Sequence, residues 1–330
     1  MKVLITGGAG FLGSRLTRKI LRRGALVDQT GRRQKLTELV IFDRTAPEPG
    51  FPDSRVRVVT GDLSDKEAIA SALGAETDSI FHLAAVVSGA AEADLALGLR
   101  VNLHGTSTLL DLAAQSGRRP KFLFASSLAV YGGPGAKKVN DATPPAPMSS
   151  YGVQKLCGEL LVGDYDRRGL VDGRALRFPT VAVRPGRPNA ANSSFISAVV
   201  REPVAGRATV CPVPADLPIA LISPDRLIEA VLISHDLSSE KFGWPRSMVL
   251  PAVKVTVAEM LDGLDKLVGP EARKLVSFVP DDKVIPMVRS WPAEVTSARA
   301  TALGIVADRD ALAFVSQYVA EFGPGAARRP

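Results

Sequence analysis

Apolar runs and amphipathic stretches alternate along the first 180 residues of the chain. The apolar runs have the length and composition of buried strands, and they cover residues 2–6, 39–42, 55–60, 79–83, 121–125 and 173–178. The stretches between them carry apolar residues at helical spacing, at 11–23, 65–73, 92–115 and 151–168. Alternation of this length predicts an α/β fold built on a doubly wound parallel sheet.

The pattern changes beyond residue 180, where prolines divide the chain into short segments. Helical spacing returns at 224–237, 256–267 and 308–322, and a further strand is predicted at 247–250. A chain of 330 residues also exceeds the length at which one core usually stops growing, about 250–300 residues. We therefore expect a sheet domain over residues 1–180, with segments near 218–236 and 247–250 returning to it, and a smaller C-terminal α/β region over 181–330. Residues 323–330 are expected to form a loose tail.

Three glycines, Gly7, Gly10 and Gly13, lie between the first predicted strand and the first predicted helix. In that setting the first glycine permits a sharp turn, the second lets the backbone approach a pyrophosphate, and the third lets helix and strand pack closely. The N-terminus of the helix adds partial positive charge. The alternative is an ordinary glycine-rich turn, since the chain has 29 glycines. The flanking strand and helix favour dinucleotide binding and a Rossmann-type sheet.

Asp43 ends the second predicted strand and bears on the choice of cofactor. A carboxylate at this point hydrogen-bonds the adenosine ribose and repels a 2′-phosphate, which favours NAD over NADP. Two observations weigh against this: Asp43 lies 30 residues after Gly13 rather than about 20, and Arg44 beside it could grip a phosphate. An insertion around residues 29–37 fits the extra length. Asp62, followed by Leu63, either contacts the adenine or serves as an ordinary turn residue.

The composition is that of an ordinary soluble globular protein, with 46% hydrophobic and 23% charged residues. No apolar run approaches about 18 residues, so we expect no membrane span. The first apolar run leads directly into the glycine turn, which argues against a cleaved signal and favours the cytoplasm. Only Cys157, Cys211 and three histidines could ligate a metal through sulfur or imidazole, and we expect no structural metal.

The formal charge of +7 is compatible with an anionic small molecule. The basic residues are scattered, apart from short groups near residues 32–35 and 328–329. No aromatic residues lie among these groups to stack on bases, so nucleic acid is not an expected partner.

Tyr151 and Lys155 lie four residues apart at the start of a predicted helix, so they share one helix face. A neighbouring ammonium favours the phenolate form of a tyrosine, which can then accept a proton from an alcohol as hydride leaves the same carbon. The alternative is a surface tyrosine beside a surface lysine. Beside a dinucleotide-binding turn, proton chemistry is the better interpretation.

Five motifs appear in order: Thr6-Gly-Gly-Ala-Gly-Phe-Leu-Gly13, His82-Leu-Ala-Ala85, Val101-Asn-Leu-His-Gly-Thr106, Ser126-Ser-Leu-Ala-Val-Tyr-Gly132 and Tyr151-Gly-Val-Gln-Lys155. On these motifs the chain resembles the extended short-chain dehydrogenase/reductase family, which includes the NAD-dependent epimerases and dehydratases. The resemblance covers at least residues 1–186. It implies a Rossmann fold, NAD as cofactor, and a homodimer formed through the helices that contain residues 94–115 and 150–168.

The resemblance also implies roles for individual residues. Tyr151 would be the catalytic base, Ser127 would hydrogen-bond the reacting oxygen, and Lys155 would hold the nicotinamide ribose. The alternative for Ser127 is a serine that merely closes a strand. Asn102 would be a supporting or relay residue near the cofactor. The full set expected to bind NAD is Gly7, Gly10, Phe11, Leu12, Gly13, Asp43, Asp62, Leu63, Leu83, Ala84, Ala85, Asn102, Tyr151, Lys155, Pro179 and Thr180.

Some positions depart from the sugar-nucleotide enzymes of this family. Leu128 and Ala129 stand where the dehydratases typically carry an acid pair, and Thr180 replaces their usual asparagine. The segments 176–189 and 193–203, with Trp291-Pro and residues 298–304, are similar to the D-erythronate dehydrogenase group. That likeness implies NAD-dependent oxidation of the C2 hydroxyl of a four-carbon sugar acid to the 2-oxo acid.

A small sugar acid needs a partner for its carboxylate, and a guanidinium offers a planar fork that matches the two oxygens. Arg184 is the first candidate, although a surface arginine packed beside Pro185 is nearly as good an interpretation; Arg187 is the reserve. Ser88, Thr180, Ser127 and Tyr151 complete the expected substrate contacts.

Two other functions stay open at this point. A nucleotide-sugar epimerase would use the same serine, tyrosine and lysine but would keep NAD tightly bound and return the hydride. A noncatalytic NAD(P)-sensing protein would need only the fold, and the intact Ser127, Tyr151 and Lys155 argue against it.

Overall fold

A computed structural model describes residues 1–133, 137–186, 193–324 and 326. The chain forms two units. The first, which we call the sheet unit, comprises Met1–Val130, Ser149–Arg177 and Ile228–Met248. The second unit comprises Tyr131–Met148, Phe178–Leu227 and the chain from Val249 onward.

The strands are β1 (Lys2–Thr6), β2 (Ala25–Val27), β3 (Arg33–Lys35), β4 (Glu38–Asp43), β5 (Val56–Thr60), β6 (Thr77–His82), β7 (Lys121–Ser127), β8 (Lys138–Val139), β9 (Asp172–Phe178), β10 (Thr180–Val181), β11 (Thr209–Cys211), β12 (Pro218–Ile222), β13 (Ser247–Val249), β14 (Val253–Thr256), β15 (Val276–Phe278) and β16 (Glu294–Val295). The α-helices are α1 (Phe11–Arg23), α2 (Lys66–Leu73), α3 (Ser88–Ala93), α4 (Leu95–Gly98), α5 (Thr106–Gln115), α6 (Ser150–Arg167), α7 (Ser194–Val204), α8 (Pro224–Asp236), α9 (Ser239–Phe242), α10 (Val257–Leu267), α11 (Pro270–Arg273), α12 (Val284–Arg289), α13 (Ala298–Ala302) and α14 (Ala311–Phe322).

The sheet unit is built on a parallel seven-stranded sheet in the order β13-β9-β7-β6-β1-β4-β5. β1 lies in the middle, with Leu4 in register with Val40 of β4 and Ile80 of β6. The inner strands are almost continuously apolar and buried, as strands with helices on both faces must be. The predicted fold class, a doubly wound α/β sheet, is confirmed.

Helix α1 shows how local sequence sets an element's limits. Leu16 and Ile20 are fully buried, one turn apart, and anchor the helix on the sheet. The helix ends at Gly24, whose backbone adopts the left-handed conformation (φ 64°) that glycine tolerates best. Arg22 and Arg23 in the last turn complement the negative end of the helix dipole.

The long spacing between the glycine turn and Asp43 is explained by a hairpin. β2 and β3 pair antiparallel after α1, before the chain enters β4. This hairpin lengthens the connection, so Asp43 still ends the strand that follows α1 in the central sheet.

The helix predicted over residues 92–115 is interrupted in the structure. α3 ends at Ala93, and Asp94 then caps the short α4 by accepting the backbone N–H of Leu97 at 2.9 Å. A π-helical segment, Leu99–Gly105, joins α4 to α5. The extra residue per turn of a π-helix leaves no clear signal in apolar spacing, and such segments are frequent at functional sites.

The second unit contains a three-stranded sheet in the order β10-β12-β14. Its core includes Ile219, Leu221, Met260, Leu264 and Phe314. The predicted tail, residues 323–330, lies largely outside the described residues. Within the described ranges, no helix is both long enough and apolar enough to cross a membrane.

Candidate active site

The glycine turn has a backbone that admits no side chains at two of its positions. Gly7 has φ +70°, and a Cβ there would lie 2.7 Å from the backbone nitrogen of Ala84. A Cβ on Gly13 would lie 2.2 Å from the carbonyl oxygen of Gly7. Gly10 caps α1, so the free N–H groups of the first helical turn, beginning with Phe11 and Leu12, line the turn. The turn therefore fits a pyrophosphate, which needs close backbone approach and N–H donors.

Asp43 is attached to this turn. One carboxylate oxygen accepts the backbone N–H of Ala9 at 3.0 Å, and the other accepts the N–H of Arg44 at 2.7 Å. The carboxylate is half-buried and is held at the edge of the glycine turn by the turn's own backbone. The residue predicted to select NAD is thus positioned by the residues predicted to bind the phosphates.

Asp62 closes an Asx-type turn. Its Oδ1 accepts both the backbone N–H and the hydroxyl of Ser64, each at 2.8 Å. These two hydrogen bonds hold the pKa of Asp62 below its usual value, and the bond from the backbone N–H has the larger effect. Leu63 beside it is buried in the core of the sheet unit. The turn role considered from sequence is therefore present, and adenine contact stays a prediction.

A buried polar chain, which apolar spacing does not indicate, supports the end of β1. His82 is fully buried and bonds Thr6 through Nδ1 at 2.6 Å and Thr106 through Nε2 at 2.8 Å. Burial, with the nearby charge of Lys155 as a smaller cause, lowers the pKa of His82 to about 3, so its ring is neutral. Next along the chain, Leu83 donates its N–H to the Thr6 carbonyl at 3.1 Å, and Ala84 donates to the Thr6 hydroxyl at 3.3 Å. Leu83, Ala84 and Ala85 thus leave β6 alongside the glycine turn, where NAD contacts were predicted.

The side chain of Asn102, in the π-helical segment, forms two hydrogen bonds with the backbone of the loop after β6. Its Oδ1 accepts the N–H of Val86 at 2.7 Å, and its Nδ2 donates to the Val86 carbonyl at 3.0 Å. Nδ2 also donates to Oε1 of Gln154 on α6, at 2.8 Å. Asn102 therefore holds the loop that leads into α3, which begins at Ser88, and it links that loop to the helix of Tyr151 and Lys155.

Ser127, Tyr151 and Lys155 belong to two elements that pack together, β7 and α6. Ser127 is the last residue of β7, and its hydroxyl accepts the N–H of Ala129 at 3.1 Å. Helix α6 is capped by Ser149, whose hydroxyl accepts the N–H of Gly152 at 3.1 Å and thereby fixes the first turn, where Tyr151 lies half-buried. The Nζ of Lys155 lies 5.6 Å from the centroid of the Tyr151 ring.

The side chain of Lys155 carries an amine that is buried away from water. Its side chain is buried, its Nζ donates to the carbonyl oxygen of Ala125 at 2.8 Å, and Nζ lies 4.7 Å from the centroid of the Phe124 ring. Burial lowers the pKa of Lys155 to about 7, although the carboxylate of Glu159 acts in the opposite direction. A lysine in this state can exchange its proton near neutral pH.

The remaining predicted residues belong to the second unit. Pro179 precedes β10, and Thr180 in β10 is in register with Leu221 of β12. Arg184 is half-buried, and its backbone is fixed on α7: its N–H donates to the Ser197 hydroxyl at 3.0 Å, and its carbonyl accepts from Arg201 at 3.2 Å. Arg187 lies outside the described residues.

One group in the site was missed from sequence. Glu159 is buried beside Lys155 on α6 and forms a two-point ion pair with Arg177 of β9, the shortest contact being 2.7 Å. Ser126 donates to the same carboxylate. The signal available was the spacing, because Tyr151, Lys155 and Glu159 recur every four residues and so share a helix face.

Comparison with known proteins identifies the family of the chain. The family model for the NAD dependent epimerase/dehydratase family matches residues 3–217. A D-erythronate dehydrogenase of Cupriavidus necator is 46% identical over 98% of this chain and 99% of its own length, and one of Haemophilus influenzae is 36% identical over 97% and 99%. A crystal structure described as a nucleoside-diphosphate-sugar epimerase from Agrobacterium tumefaciens is 34% identical and superimposes with a TM-score of 0.90, over 98% of this chain and 94% of that one.

The chain belongs to the NAD-dependent epimerase/dehydratase family. It is an NAD-dependent dehydrogenase that acts on a CH–OH group. The family and the cofactor predicted from sequence are confirmed.

Proposed function

We propose that the protein oxidises the C2 hydroxyl of D-erythronate to the 2-oxo acid, 2-dehydro-D-erythronate. The observation that carries the proposal is the likeness along the whole chain to two proteins named D-erythronate dehydrogenase, one of them 46% identical. The packing of Ser127, Tyr151 and Lys155 on β7 and α6 supports it, because alcohol oxidation needs a base and a hydrogen-bond donor at one oxygen.

In this proposal, Tyr151 accepts the proton of the C2 hydroxyl, and the Ser127 hydroxyl hydrogen-bonds the same oxygen as its charge changes. Lys155, at 5.6 Å from the Tyr151 ring, favours the phenolate and binds the nicotinamide ribose. When bound, NAD supplies the hydride acceptor. The glycine turn and Asp43 would hold its pyrophosphate and adenosine ribose, and Asp62, Leu63, residues 83–85, Asn102, Pro179 and Thr180 are proposed to complete the cofactor site.

The carboxylate of the substrate needs a cationic partner, and we assign it to Arg184. The fixed backbone of Arg184 on α7 supports this choice, because it limits the region that the guanidinium can reach and so lowers the entropy lost when the carboxylate binds. Ser88 and Thr180 are proposed to bind the substrate hydroxyls. Arg184→Met should raise the KM for the acid at least tenfold with little change in NADH affinity.

The proposal is tested by following NADH formation with purified protein, NAD or NADP, and a panel of four- to six-carbon sugar acids. Turnover of D-erythronate with NAD is the expected result. The structure described as a nucleoside-diphosphate-sugar epimerase favours a second candidate, a nucleotide-sugar epimerase. The dehydrogenase assignment would be replaced by that one if no acid gave NADH, NAD stayed bound through purification and a UDP-sugar was epimerised.

We further propose that two copies of the chain associate through α4, α5 and α6. Two of these helices expose large apolar side chains, namely Leu95 (55%) in α4 and Val153 (46%) and Leu160 (67%) in α6, and contact of these side chains with water is unfavourable. Leu160→Glu should convert a dimer to a monomer in light scattering. Val58→Glu, at an exposed apolar position of β5, is the matched control. A monomeric wild-type protein would contradict the proposal.

The cytoplasm is the proposed location. Cys157 and Cys211 are both free thiols, which reducing compartments maintain. Recovery of the protein in an extracytoplasmic fraction of its own cells would contradict this.

A further inference from the structure

The end of β7 is attached to α6 at successive residues. The carbonyl of Ala125 accepts the Lys155 ammonium at 2.8 Å, and the hydroxyl of Ser126 donates to the carboxylate of Glu159. The next residue is Ser127, the proposed donor to the reacting oxygen. Two side chains of one helix therefore fix the backbone that carries this serine.

Glu159 is itself fixed from a third element. Its carboxylate accepts Nε of Arg177 at 3.0 Å and Nη2 at 2.7 Å, and the same Nη2 donates to the Ser247 hydroxyl at 3.3 Å. Glu159 and the side chain of Arg177 are only 5% and 11% exposed. A buried carboxylate with two-point guanidinium contacts and an added hydroxyl donor is held in one position.

Glu159 also acts on the charge of Lys155. Desolvation lowers the pKa of Lys155 to about 7, and the carboxylate of Glu159, one turn further along the same face, raises it. The other titratable groups of the described residues that face this lysine are Tyr151 and the neutral ring of His82, whose pKa the lysine lowers. Glu159 is the negative charge that opposes the loss of the lysine's proton.

We propose that Glu159 is a positioning residue of the active site, which fixes the Ser126–Ser127 end of β7 on α6 and keeps Lys155 charged beside Tyr151. The proposal rests on the proposed function for the roles of Lys155 and Tyr151. It differs from a purely structural ion pair in one measurable respect. A structural pair changes stability alone, whereas a positioning residue changes the pH at which Lys155 loses its proton.

The variant is Glu159→Gln, which keeps the shape and an acceptor oxygen but removes the charge. The readout is the Kd for NADH, from NADH fluorescence, between about pH 5.5 and pH 9, across the range in which a lysine with this environment titrates. Wild-type affinity should weaken as pH rises through about 7, where Lys155 loses its proton. In the variant the midpoint should move down by at least about one pH unit, so that affinity at neutral pH falls up to about tenfold and recovers at the acidic end.

Asp172→Asn is the matched control. Asp172 forms a comparably buried ion pair with Arg174 on the same strand, β9, and does not act on Lys155. It should lower stability and leave the midpoint of NADH binding unchanged.

Glu159→Gln leaves Arg177 buried without its counter-ion, and this could prevent folding. The double variant Glu159→Gln/Arg177→Gln removes both charges, and its midpoint should still be lowered. A wild-type midpoint in either variant overturns the proposal. A lowered midpoint in an enzyme that does not turn over D-erythronate would refute the substrate assignment and leave the positioning role intact.

Discussion

The exchange Gly13→Ala tests whether the glycine turn binds the cofactor. The size of the expected effect on stability follows from the structure. Gly13 lies in α1, where alanine alone is favoured over glycine by about 1 kcal/mol. The added Cβ would lie 2.2 Å from the Gly7 oxygen and 2.6 Å from the Gly8 Cα, both backbone atoms, so the turn itself must move. Overpacking of this kind costs about 1–3 kcal/mol. The two effects partly cancel, and we expect a net loss of unfolding free energy of about 0–2 kcal/mol.

The effect on NADH binding should be larger than the effect on stability. Displacement of the turn moves its N–H donors and the Ala9–Asp43 hydrogen bond together. The Kd for NADH should therefore rise at least about tenfold, which is a loss of about 1.4 kcal/mol of binding free energy. Gly163→Ala is the matched control, because this helical glycine of α6 meets only Trp244, at 3.8 Å. It should raise the unfolding free energy by up to about 1 kcal/mol and leave Kd unchanged. Calorimetry and NADH fluorescence measure the two quantities, and a Gly13→Ala protein with wild-type Kd would refute the reasoning.

Three further predictions concern single side chains. Tyr151→Phe should reduce kcat by about 10²-fold or more while NADH binding stays within a factor of about two; equal loss of both would indicate a structural tyrosine. His235 of α8 is buried, and its ring hydrogen-bonds the Ser79 hydroxyl at 2.8 Å. Burial lowers the pKa of His235 from 6.5 to about 4, so the unfolded chain takes up a proton first as pH decreases. Stability that is full above pH 6.5 therefore falls as pH decreases toward 4. The fall should be up to about 3 kcal/mol in urea unfolding and should be smaller in His235→Gln, and an unchanged pH profile in that variant would count against it. Asn102→Ala should cost about 1–3 kcal/mol by leaving the Val86 backbone without its partner, and wild-type thermal stability would argue against this bracing role.

The sheet was predictable because its strands are buried on both faces. Apolar runs identify β1 and α1 to the residue, since Leu16 and Ile20 must face the core and Gly24 ends the helix. The π-helical segment was not predictable, because the extra residue in its turn leaves no clear signal in apolar spacing.

Candidate site residues could be named from sequence where they lie in one short stretch, as with Gly7 and Tyr151, and their roles stay predictions. Glu159 was missed because its role depends on Arg177 and Ser126, which lie on two other elements. A carboxylate on a helix is usually a solvated surface residue, and only the packing of α6 on the sheet makes this one buried.

The bond from Ala9 to Asp43 constrains any attempt to change the cofactor preference. Exchange of Asp43 for a small neutral residue is expected to admit a 2′-phosphate, but it would also remove the bond from Ala9 to this side chain. The bond from the N–H of Gly7 to the Phe42 carbonyl, at 2.8 Å, would then hold the turn on β4 without it. Asp43→Asn removes the charge and keeps an acceptor oxygen for Ala9. Asparagine is therefore the exchange expected to weaken the preference for NAD while it keeps the side-chain bond from Ala9.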